Sequence, residues 1–297
     1  AIWTDDEVGL VHRRLSIIDL SEAGNQPMVS ASGRYVIAFN GEIYNFQELR
    51  EHLCREGHVF RTGTDTEVLL TLYETMGPEC LGLLNGMFAI AVWDKTASSL
   101  FLARDRLGKK PLYFYHNAGH FAFASEIKAL LPLPFLNTEL RHDAIKDFFA
   151  YQYVPDPKTI YRNIYKLPPG HWLETDGVKV QQAQYWDLAF DNPSSRSADS
   201  LAEELYALID DAVRLRMVSD VPLGAFLSGG VDSSAVVGLM AGHSQRPVTT
   251  CSIGFDSRHF DEVVWAQKVA DQFGTDHHEF TVKENVAGSL GKISRYF

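Results

Sequence analysis

The stretch Gly224–Met240, GAFLSGGVDSSAVVGLM, decides how this chain is read. A short apolar run enters a loop of two glycines, an aspartate and two serines, and an apolar run with helical spacing follows. A strand–loop–helix order is implied. The unpaired N–H groups and dipole of a helix N-terminus favour an anion there. Gly229 and Gly230 allow close backbone approach, and Ser228, Ser233 and Ser234 can donate further hydrogen bonds. The loop is neither GxxxxGK[ST] nor GxGxxG. With no lysine for a γ-phosphate it suits a departing pyrophosphate better, with Asp232 placed to hold Mg²⁺. The implied chemistry is attack on the α-phosphorus of ATP, that is, adenylation. The local alternative is a glycine-rich turn with an aspartate cap.

The surrounding sequence agrees with this placement. From Ser200 onward, SLAEELYALIDDAVRLRM carries Leu201, Leu205, Leu208, Ile209, Ala212 and Val213 at helical spacing. VPLGAFL reads as a buried strand, SSAVVGLMAG as a helix, VTTCSIGF as a strand, FDEVVWAQKVADQFG as a helix and HHEFTV as a strand. This alternation predicts a parallel α/β sheet. Three strands with an exposed edge make a poor final state, so the domain is expected to be cut short.

Residues 1–130 have a different grammar. GRYVIAFNGEIYN predicts a strand, NFQELREHLCREG a helix burying Phe46, Leu49 and Leu53 and ending at Gly57, and TDTEVLLTLYETMG a helix opened by a capping box from Thr64 to Glu67. GMFAIAVWD, SLFLARD, PLYFYH and FAFASE then predict an antiparallel meander. Residues 132–200 are proline-rich and read as a connector with one short helix around Asp143–Tyr151.

The 297 residues suggest about two domains. A net charge of -11 argues against general nucleic-acid binding, which needs a basic face. Three scattered cysteines, Cys54, Cys80 and Cys251, form no CxxC and fit a reducing compartment, hence a cytoplasmic setting. No apolar run reaches a membrane span of roughly 18 residues.

The full SGGVDS string at a strand–helix junction resembles the pyrophosphate loop of the N-type ATP pyrophosphatases. VPLGAFLSGGVDSSAVV and TCSIGFD are similar to the glutamine-dependent asparagine synthetases. The resemblance implies two domains: an α+β N-terminal-nucleophile glutaminase with antiparallel sheets over residues 1–135, and an α/β ATP pyrophosphatase over 201–297, with 136–200 between them. It implies Leu227 and Ile253 near the adenine, and Ser228, Gly229, Gly230, Val231, Asp232 and Ser233 around the phosphates. HRRLSIIDL (His12–Leu20) matches the family's glutamine segment and puts Arg14 on the substrate α-carboxylate, with Leu15, Ser16, Ile17 and Ile18 beside it. FNGEIYN (Phe39–Asn45) implies Asn40 and the Gly41 amide as an oxyanion hole, with Glu42 lining the pocket. TGTDTE (Thr62–Glu67) implies Asp65 on the glutamine ammonium. Each has a local alternative: an ordinary ion pair for Arg14, a type I′ hairpin turn for Asn40-Gly41, and the capping box for Asp65.

The family's nucleophile is an N-terminal cysteine in a CGI-like start, and its synthetase half carries a later SGDGGDE-like motif. Neither occurs in this sequence, which is therefore expected to be a fragment lacking both termini. The resemblance implies an enzyme making asparagine, glutamate, AMP and pyrophosphate from aspartate, ATP and glutamine, and it allows a homodimer. YVPDPKTIYRNIYKLPPGHW resembles branches of the family with an exopolysaccharide or cell-envelope acceptor, so another carboxylate stays open, as does a non-catalytic glutamine- or ATP-binding module.

Overall fold

The computed structural model describes residues 1–117, 119–190, 193–255, 262–282 and 286–296. The chain divides into two compact units, Ala1–Pro193 and Ser194–Phe297.

The first unit holds eleven described strands: β1 (Ile2–Thr4), β2 (Gly9–Val11), β3 (Met28–Val29), β4 (Tyr35–Ile43), β5 (Gly86–Asp94), β6 (Ser99–Arg104), β7 (Tyr113–Asn117), β8 (His120–Ala124), β9 (Ile164–Lys166), β10 (His171–Thr175) and β11 (Val180–Gln184). Its helices are α1 (Phe46–Arg55), α2 (Asp65–Met76), α3 (Ile127–Leu130) and α4 (His142–Tyr151). The main sheet has the order β11-β10-β6-β5-β4-β3, with every neighbouring pair antiparallel. β8, β7 and β9 form a second antiparallel sheet, and β1 pairs with β2.

Strand alternation sorts β4 between two cores. Val36 and Ala38 join Ala89, Ala91, Trp93, Leu102, Phe114 and Leu173 in one buried cluster. Ile37, Phe39 and Ile43 are buried on the opposite face, where α2 packs on β4. α1 buries Phe46, Leu49 and Leu53, the stripe expected from its spacing.

The single meander expected over residues 86–124 is two sheets. Asp105, 1% exposed, explains the break. Its carboxylate accepts the N–H groups of Phe88, Leu107, Lys109 and Lys110 at 2.9–3.2 Å, which turns the chain away after β6. The neighbouring Arg104 donates to the carbonyls of Gly108, Lys110 and Leu167 and to Asp156 Oδ2. The proline-rich stretch is likewise more than a link with one helix. It supplies β9 to the second sheet and β10 and β11 to the first, with β10 paired directly to β6.

The second unit runs α5 (Ala198–Arg216), β12 (Gly224–Phe226), α6 (Val231–His243), β13 (Thr249–Phe255), α7 (Val263–Phe273), β14 (Asp276–Val282) and α8 (Val286–Tyr296). β12-β13-β14 is a parallel sheet, as the alternation predicts. The helix expected from Phe260 is described from Val263; Phe260 and Asp261 lie outside the described residues. The expectation that VPLGAFL is a buried strand fails. β12 is an edge strand and Phe226 is 80% exposed, because only β13 flanks it among the described residues. On α5 only Val213 is buried, against Met240 and Val248, while Leu201, Leu205, Leu208 and Ile209 stay exposed. The fold class read from the sequence, α+β with antiparallel sheets followed by a parallel α/β unit, is the class observed. No described helix is long and apolar enough to cross a membrane.

Candidate functional site

The three segments singled out in the first unit converge on one edge of β4. Gly41 stands opposite Phe88 across the β4–β5 ladder. Phe88 turns its own N–H to Asp105 Oδ2 and accepts from Asp105 N–H, so its polar groups face β6. Gly41 and Phe88 are thus a non-hydrogen-bonded pair, and the Gly41 N–H points to the other edge of β4. There β3 pairs only with Val36 and Ile37. Side chains cover the rest of that edge. Gln26 Oε1 accepts the Phe39 N–H at 2.6 Å, His12 Nε2 meets the Phe39 carbonyl at 3.0 Å, and Asp65 Oδ2 accepts the Ile43 N–H at 3.0 Å. The Gly41 amide falls between these contacts, in a stretch of edge that no strand covers among the described residues. Asn40-Gly41 is therefore mid-strand, and the hairpin-turn alternative is excluded. Glycine is required by close approach: a Cβ at Gly41 would lie 2.1 Å from the Met87 carbonyl oxygen.

Arg14 is folded into its own loop, donating to the carbonyls of Ile18, Asp19 and Ser21 at 2.6–3.0 Å. Asp19 ties that loop to the next motif by accepting the Gly63 N–H at 2.6 Å. Bonds from the Ser21 hydroxyl and Gly63 hold its carboxyl below the ordinary value. Asp65 is buried, and burial pushes its pKa up, opposed by the Ile43 bond and by the charge of Arg14. The capping alternative holds in part as well. Thr64 Oγ1 accepts the Glu67 N–H, but the Glu67 carboxylate reaches past Thr64 to the Arg61 and Thr62 amides. Asn40 Nδ2 donates to Ser125 Oγ at 3.2 Å. Glu42 is half-buried on the same face of β4 as Asn40, Ser16, Ile17 and Ile18 are half-buried, and Leu15 is exposed.

The sequence reading passed over three residues that assemble this edge. Gln26, 5% exposed, spans Phe39 and the Thr66 hydroxyl and so binds β4 to α2. Asp19 lay inside a quoted motif but had no role. His12 can only donate to the Phe39 carbonyl, which places its proton on Nε2 and leaves buried Nδ1 without a hydrogen-bond partner. Burial lowers the His12 pKa, opposed by the Phe39 bond and assisted by Arg14. A largely apolar cavity of about 950 Å³ is lined by His12, Asn40, Ser125, Trp93, Phe121 and Leu133. Arg14, Gly41, Glu42 and Asp65 lie outside its lining.

In the second unit the loop Leu227–Ser233 leaves the carboxyl end of β12, where ligands of parallel sheets bind. Ser228 N–H and Oγ meet Ser233 Oγ at 3.3 and 3.0 Å, and the Ser234 hydroxyl and N–H donate to the Gly230 carbonyl. Gly230 caps α6, and Val231 and Asp232 in its first turn are exposed. Gly229, at φ +80°, has a reason beyond anion approach: a Cβ there would sit 2.5 Å from the backbone of Trp265 and Ala266 in α7. Leu227 is buried with Val237, Ala266 and Ala270, so its side chain belongs to the core and its backbone is what a nucleotide could meet. Ile253, near the same end of β13, is half exposed. Among the described residues no group of three or more His, Cys, Asp or Glu could hold a metal. The lone exposed Asp232 carboxylate fits Mg²⁺ only if phosphate oxygens complete the shell, which is how that ion is usually held.

A family model described as a glutamine amidotransferase domain matches residues 1–186. The chain belongs to that family. Residues 204–295 match a second model, described as asparagine synthase, so an amidotransferase domain and an asparagine synthase segment follow one another in one chain. Asparagine synthetase [glutamine-hydrolyzing] 3 of Bacillus subtilis is 36% identical over 95% of this chain, and asparagine synthetase [glutamine-hydrolyzing] 1 of the same organism is 38% identical over 99%. Asparagine synthetase B [glutamine-hydrolyzing] of Escherichia coli is 35% identical over 96%. These alignments take in 48%, 46% and 49% of the three relatives. The amidotransferase chain thus spans about half the length of the curated relatives it matches.

Proposed function

We propose that the protein is a glutamine-hydrolysing asparagine synthetase. The first unit releases ammonia from glutamine. The second lets a carboxylate, proposed to be that of aspartate, attack the α-phosphorus of ATP, expelling pyrophosphate. Ammonia then displaces AMP from the acyl adenylate, giving asparagine. The observation that carries the reading is the succession of an amidotransferase domain and an asparagine synthase segment in one chain, with SGGVDS at a strand–helix junction of the second.

In the glutamine step the Gly41 N–H and an Asn40 Nδ2–H receive the developing oxyanion. Arg14 and Asp65 take the α-carboxylate and α-ammonium of glutamine, with Leu15, Ser16, Ile17, Ile18 and Glu42 forming the rest of the pocket. What supports this is the uncovered edge at Gly41 and the attraction that the Arg14 charge exerts on the buried Asp65 carboxyl. At the second site Ser228, Gly229, Gly230, Val231, Asp232 and Ser233 surround the phosphates, Leu227 and Ile253 border the adenine, and Asp232 holds Mg²⁺ bound to the nucleotide. The setting is cytoplasmic.

The test uses the full-length protein with α-labelled ATP, glutamine and aspartate. AMP, pyrophosphate and asparagine formed in equal amounts support the reading. Label appearing in ADP overturns it, and AMP formed only with another carboxylate replaces the acceptor.

A further inference from the structure

Beneath the phosphate loop lies a linear chain of hydrogen-bonded polar side chains that the chemistry above does not use. Thr250 and Ser252 on β13 are buried, at 0% and 4% exposure, and flank the half-buried His277 of β14. Thr250 Oγ1 is 2.8 Å from both Thr275 Oγ1 and His277 Nδ1. Ser252 Oγ is 3.1 Å from His277 Nε2 and 2.7 Å from the Leu227 carbonyl.

Counting protons fixes the direction of this chain. The Leu227 carbonyl can only accept, so the single Ser252 hydroxyl proton goes to it. Ser252 Oγ must then accept from His277, which puts a proton on Nε2. The carboxylate of Glu279, 3.8 Å from the same nitrogen, favours a proton on that side. In the neutral ring Nδ1 is a bare lone pair that accepts the Thr250 hydroxyl, and Thr250 accepts from Thr275. The sequence Thr275→Thr250→His277→Ser252→Leu227 ends on the last peptide before the phosphate loop.

That peptide is planar and trans, so its carbonyl and the Ser228 N–H point in opposite directions. Pinning the Leu227 carbonyl toward Ser252 aims the Ser228 N–H into the loop, where it meets Ser233 Oγ. The Leu227 N–H is held in turn by the Cys251 carbonyl at 2.9 Å. We propose that His277 is a positioning residue for nucleotide binding: through Ser252 it fixes the orientation of the Leu227–Ser228 peptide and so points one loop amide at the anion. The inference rests on reading this loop as the ATP site.

The two amide replacements of His277 separate the proposal from mere packing. Gln at 277 can place an N–H where Nε2 is and keep the donor to Ser252; Asn reaches only the Nδ1 position and keeps the Thr250 side. In the full-length protein we expect His277→Asn to weaken MgATP binding about tenfold, the scale of one buried hydrogen bond. His277→Gln should stay within about threefold of wild type, and glutamine hydrolysis should be unchanged in both. Ser252→Ala should match His277→Asn, and the double variant should be no weaker than either single one. Wild-type MgATP affinity in both His277→Asn and Ser252→Ala, or equal losses in His277→Gln and His277→Asn, overturns the positioning role while leaving the ATP reading intact. No MgATP binding by the wild-type protein overturns the ATP reading and the positioning role together.

Discussion

Asp65 Oδ2 accepts the backbone N–H of Ile43 at 3.0 Å and thereby joins the first turn of α2 to the end of β4. One buried carboxylate serves both the architecture and the proposed glutamine site, and the two demands conflict. Burial raises its pKa, so the charge needed for an ammonium is disfavoured by the fold. A carboxyl whose folded pKa lies above its unfolded value gives stability that is fully present below the unfolded pKa and is lost as pH rises through the folded pKa. Asp65→Asn retains an acceptor for Ile43 and does not titrate. Thermal unfolding of the two proteins across pH should show Asn gaining over Asp above roughly pH 4 and the difference vanishing below it. Glutamine hydrolysis should fall by at least about a hundredfold.

His12 has the opposite sign. Its folded pKa is depressed by burial, so its contribution is present above the unfolded value and is lost as pH falls through the folded one. Protonation would place an N–H on Nδ1, which has no acceptor among the described residues. Denaturant melts of the wild type should weaken as pH drops below about 6.5. His12→Gln, which can keep a donor to the Phe39 carbonyl, should flatten that slope.

Gly41→Ala should be among the most damaging single substitutions in the first unit. The added methyl collides with backbone on β5, which cannot swing aside as a flexible side chain can. A loss of about 3 kcal/mol or more is expected from overpacking and broken pairing. Circular dichroism of a soluble, cooperatively melting variant with wild-type midpoint would contradict the close approach described.

Gly229 and Gly230 look alike in sequence and should behave differently. Gly229→Ala meets both a positive φ and the α7 backbone, so the second unit should lose stability. At Gly230, with φ -70° and only Ser228 Oγ 3.4 Å from an added Cβ, alanine should leave the melting curve nearly unchanged and weaken ATP binding by crowding the anion. Calorimetric titration with MgATP on both variants distinguishes packing from ligand approach.

Thiol chemistry offers an independent check on the cores. Cys80 is fully buried, and burial pushes its thiol up to about 12, whereas Cys54 is exposed. Brief iodoacetamide treatment at pH 8, read by peptide mass spectrometry, should label Cys54 and spare Cys80 until the protein is denatured.

Where the sequence was legible, the signal was local. The apolar stripe of α1, the Thr64 cap and the β–α alternation after Ser200 each arise within one element, and each is present. Long-range pairing left little local trace. Nothing in HWLET announces a strand beside β6, because the partner lies some 70 residues away and the pairing is set by backbone register. The single meander failed for the same reason: Asp105, a charged residue in a turn-like string, breaks it by gathering an amide of β5 and amides of the loop that follows β6. Motif spelling singled out Arg14, Asn40, Gly41 and Asp65 as candidates. It missed Gln26, Asp19 and His12, whose importance is relational: each joins two segments that the motifs treat separately.

The pairing of β10 with β6 bears on how the protein can be taken apart. A truncation ending near residue 135 would strip β10 and β11 from the main sheet and β9 from the smaller one, leaving Leu102 and Phe101 without the strand that shields them. Such a piece invites aggregation along its bared margin. The first unit should therefore be excised by a cut after Pro193, and limited proteolysis should nick near that junction before it opens the sheets of that unit.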